Sequence, residues 1–410
     1  MTERIRVLFV DDEPNVLQGL RRSLRGQRSL WDMSFCASPL EALETLEVGP
    51  PLDVVVTDMQ MPEMSGAYFL AQVMQRQPMT VRFILSGHTS GERLLQSSTV
   101  AHQFLSKPCD PRLLETLVNR ACALRHNLCA AALNQKLLKT GSIPSVPKVY
   151  HEILKMMQAG EPDLSAVGHL IKQDIGLSTK VLQVVNSAFM GLRRHVSDIV
   201  HAASLLGLDN LRRIVLMAEV FTPDEEQKVS RHINLDALWA HSMQVAEYAR
   251  AIAEDCTSSK QLRSDTFTAA LLHEIGRIVL ASQLQEEFGR AHDLAVGGDL
   301  TLLQAERQAL GSTHAEVGGY LLELWGLPEP VVEAVTYYSL PSRVPDEFYG
   351  LDGATPDFAP LTALHVACHL AASATSGGNT HVEDMPLDTT YMERVGLLDR
   401  VEHWFHVCSG

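Results

Sequence analysis

Lysine is absent after Lys260. Across residues 261–410 seven arginines face 21 acidic side chains, so nearly all of the net charge of −15 lies there. A surface of that sign repels phosphate backbones, which argues against nucleic-acid binding by the C-terminal half and against a DNA-binding output. Long apolar runs are also missing. None approaches the roughly 18 residues of a membrane-spanning helix, so no membrane partner is expected. The start, "MTERIRVLFV", has neither a long apolar core nor a small-residue cleavage site. The expectation is no signal peptide and a cytoplasmic location. The seven cysteines (36, 109, 122, 129, 256, 368 and 408) are scattered, odd in number and never spaced C-x-x-C. That pattern opposes a disulfide framework or zinc ribbon and fits a reducing compartment.

What is present is enough apolar residue, 46% of 410, for two or three cores. In the first 125 residues, buried-strand patterns alternate with helical ones. "IRVLFV" (Ile5–Val10) ends in Asp11 and Asp12, and "LDVVVT" (Leu52–Thr57) ends in Asp58. "VRFILSGH" ends in Ser86-Gly87, "HQFLSKP" ends in Lys107-Pro108, and a further strand is expected over Met33–Ala37. Helical patterns cover Val16–Arg25, Pro39–Leu46, Gly66–Gln75, Gly91–Ser97 and Pro111–Leu124. This alternation predicts a doubly wound α/β unit, a parallel sheet of five strands covered on both faces.

Ligands of such sheets bind beyond the carboxyl ends of the strands. Asp11, Asp12, Asp58, Ser86 and Lys107 are all expected there. Clustered carboxylates repel one another unless a hard cation joins them, and Mg²⁺ prefers oxygen donors. A carboxylate on Mg²⁺ can attack a phosphoryl group while a lysine neutralises the developing charge. Residues 5–124 resemble the receiver domain of response regulators, a flavodoxin-like fold. The resemblance implies that Asp58 is the phosphoacceptor and that Asp12, Asp58 and the Gln60 carbonyl bind Mg²⁺ directly, with Asp11 acting through water. It makes Ser86 and Phe104 the switch pair. It also implies a sensor histidine kinase or phosphotransfer protein as upstream partner. The receiver is assigned to residues 1–124.

From Pro111 the helical pattern runs on to about Lys139 and stops at Gly141. Leu114, Leu117, Ala121, Leu124, Leu128, Ala131 and Leu138 fall at near-heptad spacing, interrupted by Gln135. The connecting helix, 111–141, is read either as a homodimer seam over 111–139 or as a face packed on the chain's own second domain.

Pro144 and Pro147 open a new unit without strand-like alternation. Helices are expected at about 148–158, 164–173, 177–187, 197–206, 209–220, 235–255, 265–281, 299–310, 312–325, 328–338, 359–374 and 387–404. Thr313 with Glu316 forms a capping box, and Gly326 before Pro328 is a stop. The segments "IPSVPKVYHEILKMM", "GLSTKVLQVVNSAFMG", "ALLHEIGRIVL" and "HAEVGGYLLELWGLP" resemble the HDOD family, all-α domains related to the HD-type metal-dependent phosphohydrolases. The HDOD domain is assigned to 142–340. A helical extension over 341–410 is expected to pack on it.

The resemblance implies a worn metal site. His241 and His273 match ligand positions, and Glu274 stands where aspartate is usual. Cys368 replaces a last aspartate, and His314 matches a ligand of a second metal. Tyr338 and Ser339 replace two further histidines. The ligand set is incomplete for two-metal hydrolysis, so no catalytic residue is assigned. The survivors leave two readings open: a single transition metal such as zinc or iron, or a set of buried hydrogen bonds. The expected protein is a response regulator whose receiver controls an interaction module acting on another signalling protein. The alternative is a receiver-regulated phosphohydrolase of cyclic dinucleotides or nucleotides.

Overall fold

The computed structural model describes residues 4–86, 100–128, 199–220, 232–297, 300–344, 358–374 and 385–409, and shorter stretches between 149 and 198. The chain divides into two compact units, Met1–His151 with Glu323–Gly326 and Glu152–Leu322 with Leu327–Gly410. Among the described residues, no helix is long and apolar enough to cross a membrane.

The first unit holds β1 (Ile5–Val10), α1 (Pro14–Ser23), β2 (Trp31–Cys36), α2 (Pro39–Val48), β3 (Val54–Asp58), α3 (Gly66–Arg76), β4 (Val81–Ser86), β5 (Gln103–Ser106) and α4 (Pro111–Leu128). The five strands are all parallel, as expected, and lie in the order β2-β1-β3-β4-β5. Val7, Leu8, Phe9, Val54, Val55, Val56, Phe83 and Ile84 are fully or almost fully buried. Such unbroken apolar runs belong to strands covered on both faces. Ser38 and Ser65 cap α2 and α3 through their side-chain oxygens. A Cβ on Gly66 would lie 2.0 Å from the Asp58 carbonyl oxygen, so only glycine lets α3 start hard against the end of β3. The helix expected at 91–97 lies outside the described residues.

The stripe on α4 differs from the heptad reading. Its buried positions are Leu114, Val118 and Ala121, with Leu117 only half-buried. The reason is local packing. Trp31 Nε1 donates to Asn119 Oδ1 at 2.7 Å, and Gln27 Nε2 bonds Glu115. These contacts turn the helix so that an i, i+4, i+7 row faces its own domain. Leu124 and Leu128 have side chains outside the described set, as does the whole of 129–139.

The second unit is helical in all its described elements: α5 (Leu164–Lys172), α6 (Ile199–Val220), α7 (Leu235–Cys256), α8 (Lys260–Leu272), α9 (Ile275–Gln283), α10 (Gln285–Gly297), α11 (Leu302–Leu310), α12 (His314–Leu324), α13 (Glu329–Tyr337), α14 (Pro360–Ala374), α15 (Thr389–Arg394) and α16 (Val401–Ser409). Gly207, at φ 71°, kinks α6 where two separate helices were expected. The capping box forms as expected, with Thr313 N donating to Glu316 Oε2 at 3.0 Å, and Gly326 takes φ 74°.

Two expectations fail in instructive ways. The single helix expected over 265–281 is broken between Leu272 and Ile275, so that His273 ends α8 and Glu274 precedes α9. A helix not expected, α10, follows at once. Sequence periodicity ran through the break because the residues on both sides of it are apolar and buried. The break is matched by a close crossing: a Cβ on Gly276 would lie 1.9 Å from the His314 carbonyl oxygen. The starts of α9 and α12 therefore touch backbone to backbone. α14 packs against α7, α8 and α13, and α16 packs against α7 and α14. Trp404, buried on α16, donates its Nε1 to Asp255 Oδ2 at 2.8 Å.

Glu333 on α13 gives this unit a measurable pH signature. Burial, and then the charge of Glu329, push its carboxyl up to about 7. Between its unfolded value near 4.5 and about 7, the folded chain holds a proton that the unfolded chain releases. Stability should therefore fall as pH rises through that window and level off above it. Denaturant midpoints from pH 5 to 8 should show the fall in the parent and a flatter profile in Glu333→Gln. Parallel profiles would count against a half-buried, reluctant carboxyl here.

Candidate functional site

The strand order reverses at β1, which is flanked by β2 and β3, so the crevice opens at the carboxyl ends of β1 and β3. Lys107, just beyond β5, sets its Nζ 2.7 Å from Asp11 Oδ2 and 2.6 Å from Asp58 Oδ1. Asp11 Oδ1 accepts from Glu13 N, and Asp58 Oδ2 accepts from Gln60 N, both at 2.9 Å. Asp12 lines the adjoining cleft with Met59, Gln60, Met61, Pro62 and Ser65. Burial raises the Asp11 carboxyl against the pull of Lys107. Burial works to lower the Lys107 ammonium, but its bonds to Asp11 and Asp58 outweigh that and raise it. Asp11 and Asp58 set two carboxylates against one ammonium, and Asp12 adds a third carboxyl group in the adjoining cleft. A hard divalent cation of oxygen preference fits that donor set. Ser86 closes β4 opposite Ser106 of β5. The side chains of Ser86 and Phe104 lie outside the described residues.

The second group forms where α7, the α8–α9 break and the start of α12 meet. His241, His273 and Glu274 each offer a ligand atom within 4.8 Å of the others. Glu274 Oε1 lies 3.4 Å from His273 Nε2 and 3.9 Å from His241 Nε2. Its Oε2 lies 3.3 Å from Arg277 and 4.0 Å from His314 Nε2. His273 Nδ1 donates to the Ala270 carbonyl at 2.7 Å, which turns Nε2 toward the carboxylate. A lone pair there would face negative charge, so protonation is favoured. Burial opposes the charge, but the Cys368 sulfur and Glu274 overcome it and raise His273. Burial likewise opposes charge on Glu274, and Arg277 leads the groups that hold its carboxyl well below the usual range. His241 is driven down to about 4 by burial and then by His273, and so is neutral.

His314 takes a different part. Its Nδ1 donates to Glu306 Oε2 and its Nε2 accepts from the Tyr338 hydroxyl, each at 2.8 Å. Glu306, His314 and Tyr338 are all buried. The phenol thus covers the imidazole nitrogen that a second metal would need. Among the described residues His314 and Cys368 stand outside the three-donor group, although Cys368 neighbours His273.

Residues 7–119 match the family model of the response regulator receiver domain, and residues 143–341 match that of the HDOD domain. The chain is a receiver domain followed by an HDOD domain. An uncharacterized protein of Treponema pallidum (strain Nichols) is 30% identical over 233 residues, 54% of this chain and 42% of that one. Response regulator Rre1 of Synechocystis sp. is 29% identical over 166 residues, 40% of this chain and 68% of the relative. This chain thus spans under half the length of the first of these relatives. A solved Shewanella amazonensis SB2B chain, provisionally described as a phosphohydrolase, is 22% identical, with 69% of this chain and 94% of that one covered and a TM-score of 0.49.

The structure brings together Asp11, Asp58 and Lys107 in the receiver, and His241, His273 and Glu274 in the HDOD domain. Sequence reasoning missed Glu306. An acid in the amphipathic pattern of α11 reads as solvent-facing, and only its bonds to the His314 ring and backbone nitrogen reveal its role.

Proposed function

We propose that this protein is a phosphorelay response regulator in which phosphorylation of Asp58 controls a non-catalytic HDOD interaction module. The observation that carries the receiver half is Lys107 bridging Asp11 and Asp58 at the crevice. In this reading an Asp58 carboxylate oxygen attacks the donor's phosphorus, the bond from phosphorus to the leaving group breaks, and an acyl phosphate forms. Lys107 holds positive charge against the oxygens that become negative. Mg²⁺, held by Asp12, Asp58 and the Gln60 carbonyl and through water by Asp11, would neutralise the phosphoryl oxygens. Ser86 and Phe104 relay the change. The upstream partner is a sensor histidine kinase or phosphotransfer protein, and the output is contact with a downstream signalling protein. Self-association through 111–139 belongs to the same proposal, with Leu117 the half-buried described position available to it.

The non-catalytic half rests on Tyr338. Two-metal hydrolysis needs metals about 3.5–4 Å apart clamping the attacking and leaving oxygens. The hydroxyl of Tyr338 covers His314 Nε2, and a neutral phenol is a poor ligand beside imidazole. Purified protein should give no product from cyclic dinucleotides with Mn²⁺, Fe²⁺ or Zn²⁺. Turnover that disappears in His273→Ala, with the fold kept by circular dichroism, would replace this reading by a metal-dependent phosphohydrolase. The proximity of His241, His273 and Glu274 favours at most one bound metal there.

A further inference from the structure

We propose a separate transition-metal site formed by His232, His292 and Asp293, where the turn before α7 meets α10. His232 lies in the turn before α7, and His292 and Asp293 are neighbours on α10. One donor atom from each lies within 4.8 Å of the others. The convergence is specific: His232 Nδ1 and His292 Nδ1 are each 4.0 Å from the same atom, Asp293 Oδ1. The two rings face each other with centroids 4.9 Å apart at 41°.

The two histidine–aspartate separations are longer than direct hydrogen bonds. A nitrogen–oxygen hydrogen bond closes at about 2.7–3.2 Å, and both separations exceed it. Donors around a zinc ion, with bonds of about 2.0–2.2 Å in tetrahedral geometry, stand roughly 3.3–3.5 Å apart. Closing from 4.0 Å asks for about half an ångström in each histidine–aspartate pair. The mobile partner is at hand, since the Asp293 side chain is 73% exposed while the rings are 21% and 22% exposed. Backbone architecture supports the placement of the less obvious ligand. A Cβ on Gly289, one turn before His292, would lie 3.2 Å from His232 Nε2, so glycine makes the recess in which this ring sits against α10.

The donor chemistry selects the ion class. Two imidazoles and one carboxylate suit Zn²⁺ and the later first-row metals better than Mg²⁺ or Ca²⁺, which prefer oxygen. Three protein ligands at an exposed position leave coordination open to water. An ion there clips the chain entering α7 to α10. Asn234, whose side chain accepts from Asp236 N and Ala237 N, already fixes that entry from the helix side. The clip would therefore brace the helix that carries His241.

The test is equilibrium dialysis of the full chain against ZnCl₂, followed by elemental analysis. The parent should hold one zinc equivalent more than His232→Ala and His292→Ala, and that equivalent should persist in His273→Ala. Asp293→Asn, a change at an exposed side chain that leaves the fold intact, should weaken it at least tenfold. Circular dichroism checks each variant. Equal zinc content in the parent, His232→Ala and His292→Ala would overturn the proposal, as would a parent that holds no zinc above the dialysis buffer.

Discussion

Acetyl phosphate with Mg²⁺ should add one phosphoryl group to the parent chain, read by intact mass, and none to Asp58→Asn. The expectation rests on geometry and charge. Asp58 sits where β3 ends, at the crevice opened by the reversal of strand order. Lys107 Nζ lies 2.6 Å from its Oδ1. Asparagine keeps the shape of the side chain and the acceptor for Gln60 N but lacks a carboxylate nucleophile. It leaves the Asp11–Lys107 ion pair in place, so the crevice keeps its main contact. Lys107→Ala should leave the nucleophile in place and slow the reaction, because the positive charge against the phosphoryl oxygens is gone. A parent of unchanged mass at ample Mg²⁺ would sink the receiver reading, and a phosphorylated Asp58→Asn would move the acceptor elsewhere.

Glu274→Ala should cost about 3–5 kcal/mol of folding stability, the range for removing one partner of a buried charge network. Glu274 is 3% exposed and stands between Arg277, His273 and His314. Its removal leaves the Arg277 guanidinium and the His273 proton buried without their carboxylate. Glu274→Asp, which keeps the charge one methylene short, should lose less. The pH dependence has a definite sign. The Glu274 contribution is present above its unfolded value near 4.5 and is lost as pH falls through its lowered folded value. The His273 contribution is full below about 6.5 and declines as pH rises toward its raised folded value. Denaturant unfolding of parent and variants across pH checks both; a loss below about 1 kcal/mol for Glu274→Ala would show that water, and not the carboxylate, satisfies these groups.

Much was legible in the chain itself. Apolar runs such as "IRVLFV" and "VVVT" can only be buried on both faces, and that property, repeated between helical patterns, dictates a parallel sheet with its acids at the carboxyl ends. The same local logic found Thr313 with Glu316 and the stop at Gly326, because capping and left-handed turns depend on residues a few positions apart. Histidine and glutamate at 273 and 274 were visible as a pair inside an apolar stretch. What the stretch hid was the break between α8 and α9: uniform hydrophobicity carries no phase, so nothing local says where a helix must end. On α4 the sequence also left Leu117 and Val118 undecided, since both are apolar, and the contacts of Trp31 and Gln27 with the helix chose Val118 for burial. Tertiary structure alone made Glu306, His314 and Tyr338 a chain of hydrogen bonds, and set His232 beside His292. Those contacts join residues on different elements, and their geometry follows from close approaches, backbone on backbone at Gly276 and the His232 ring on backbone at Gly289, that depend on which helices cross.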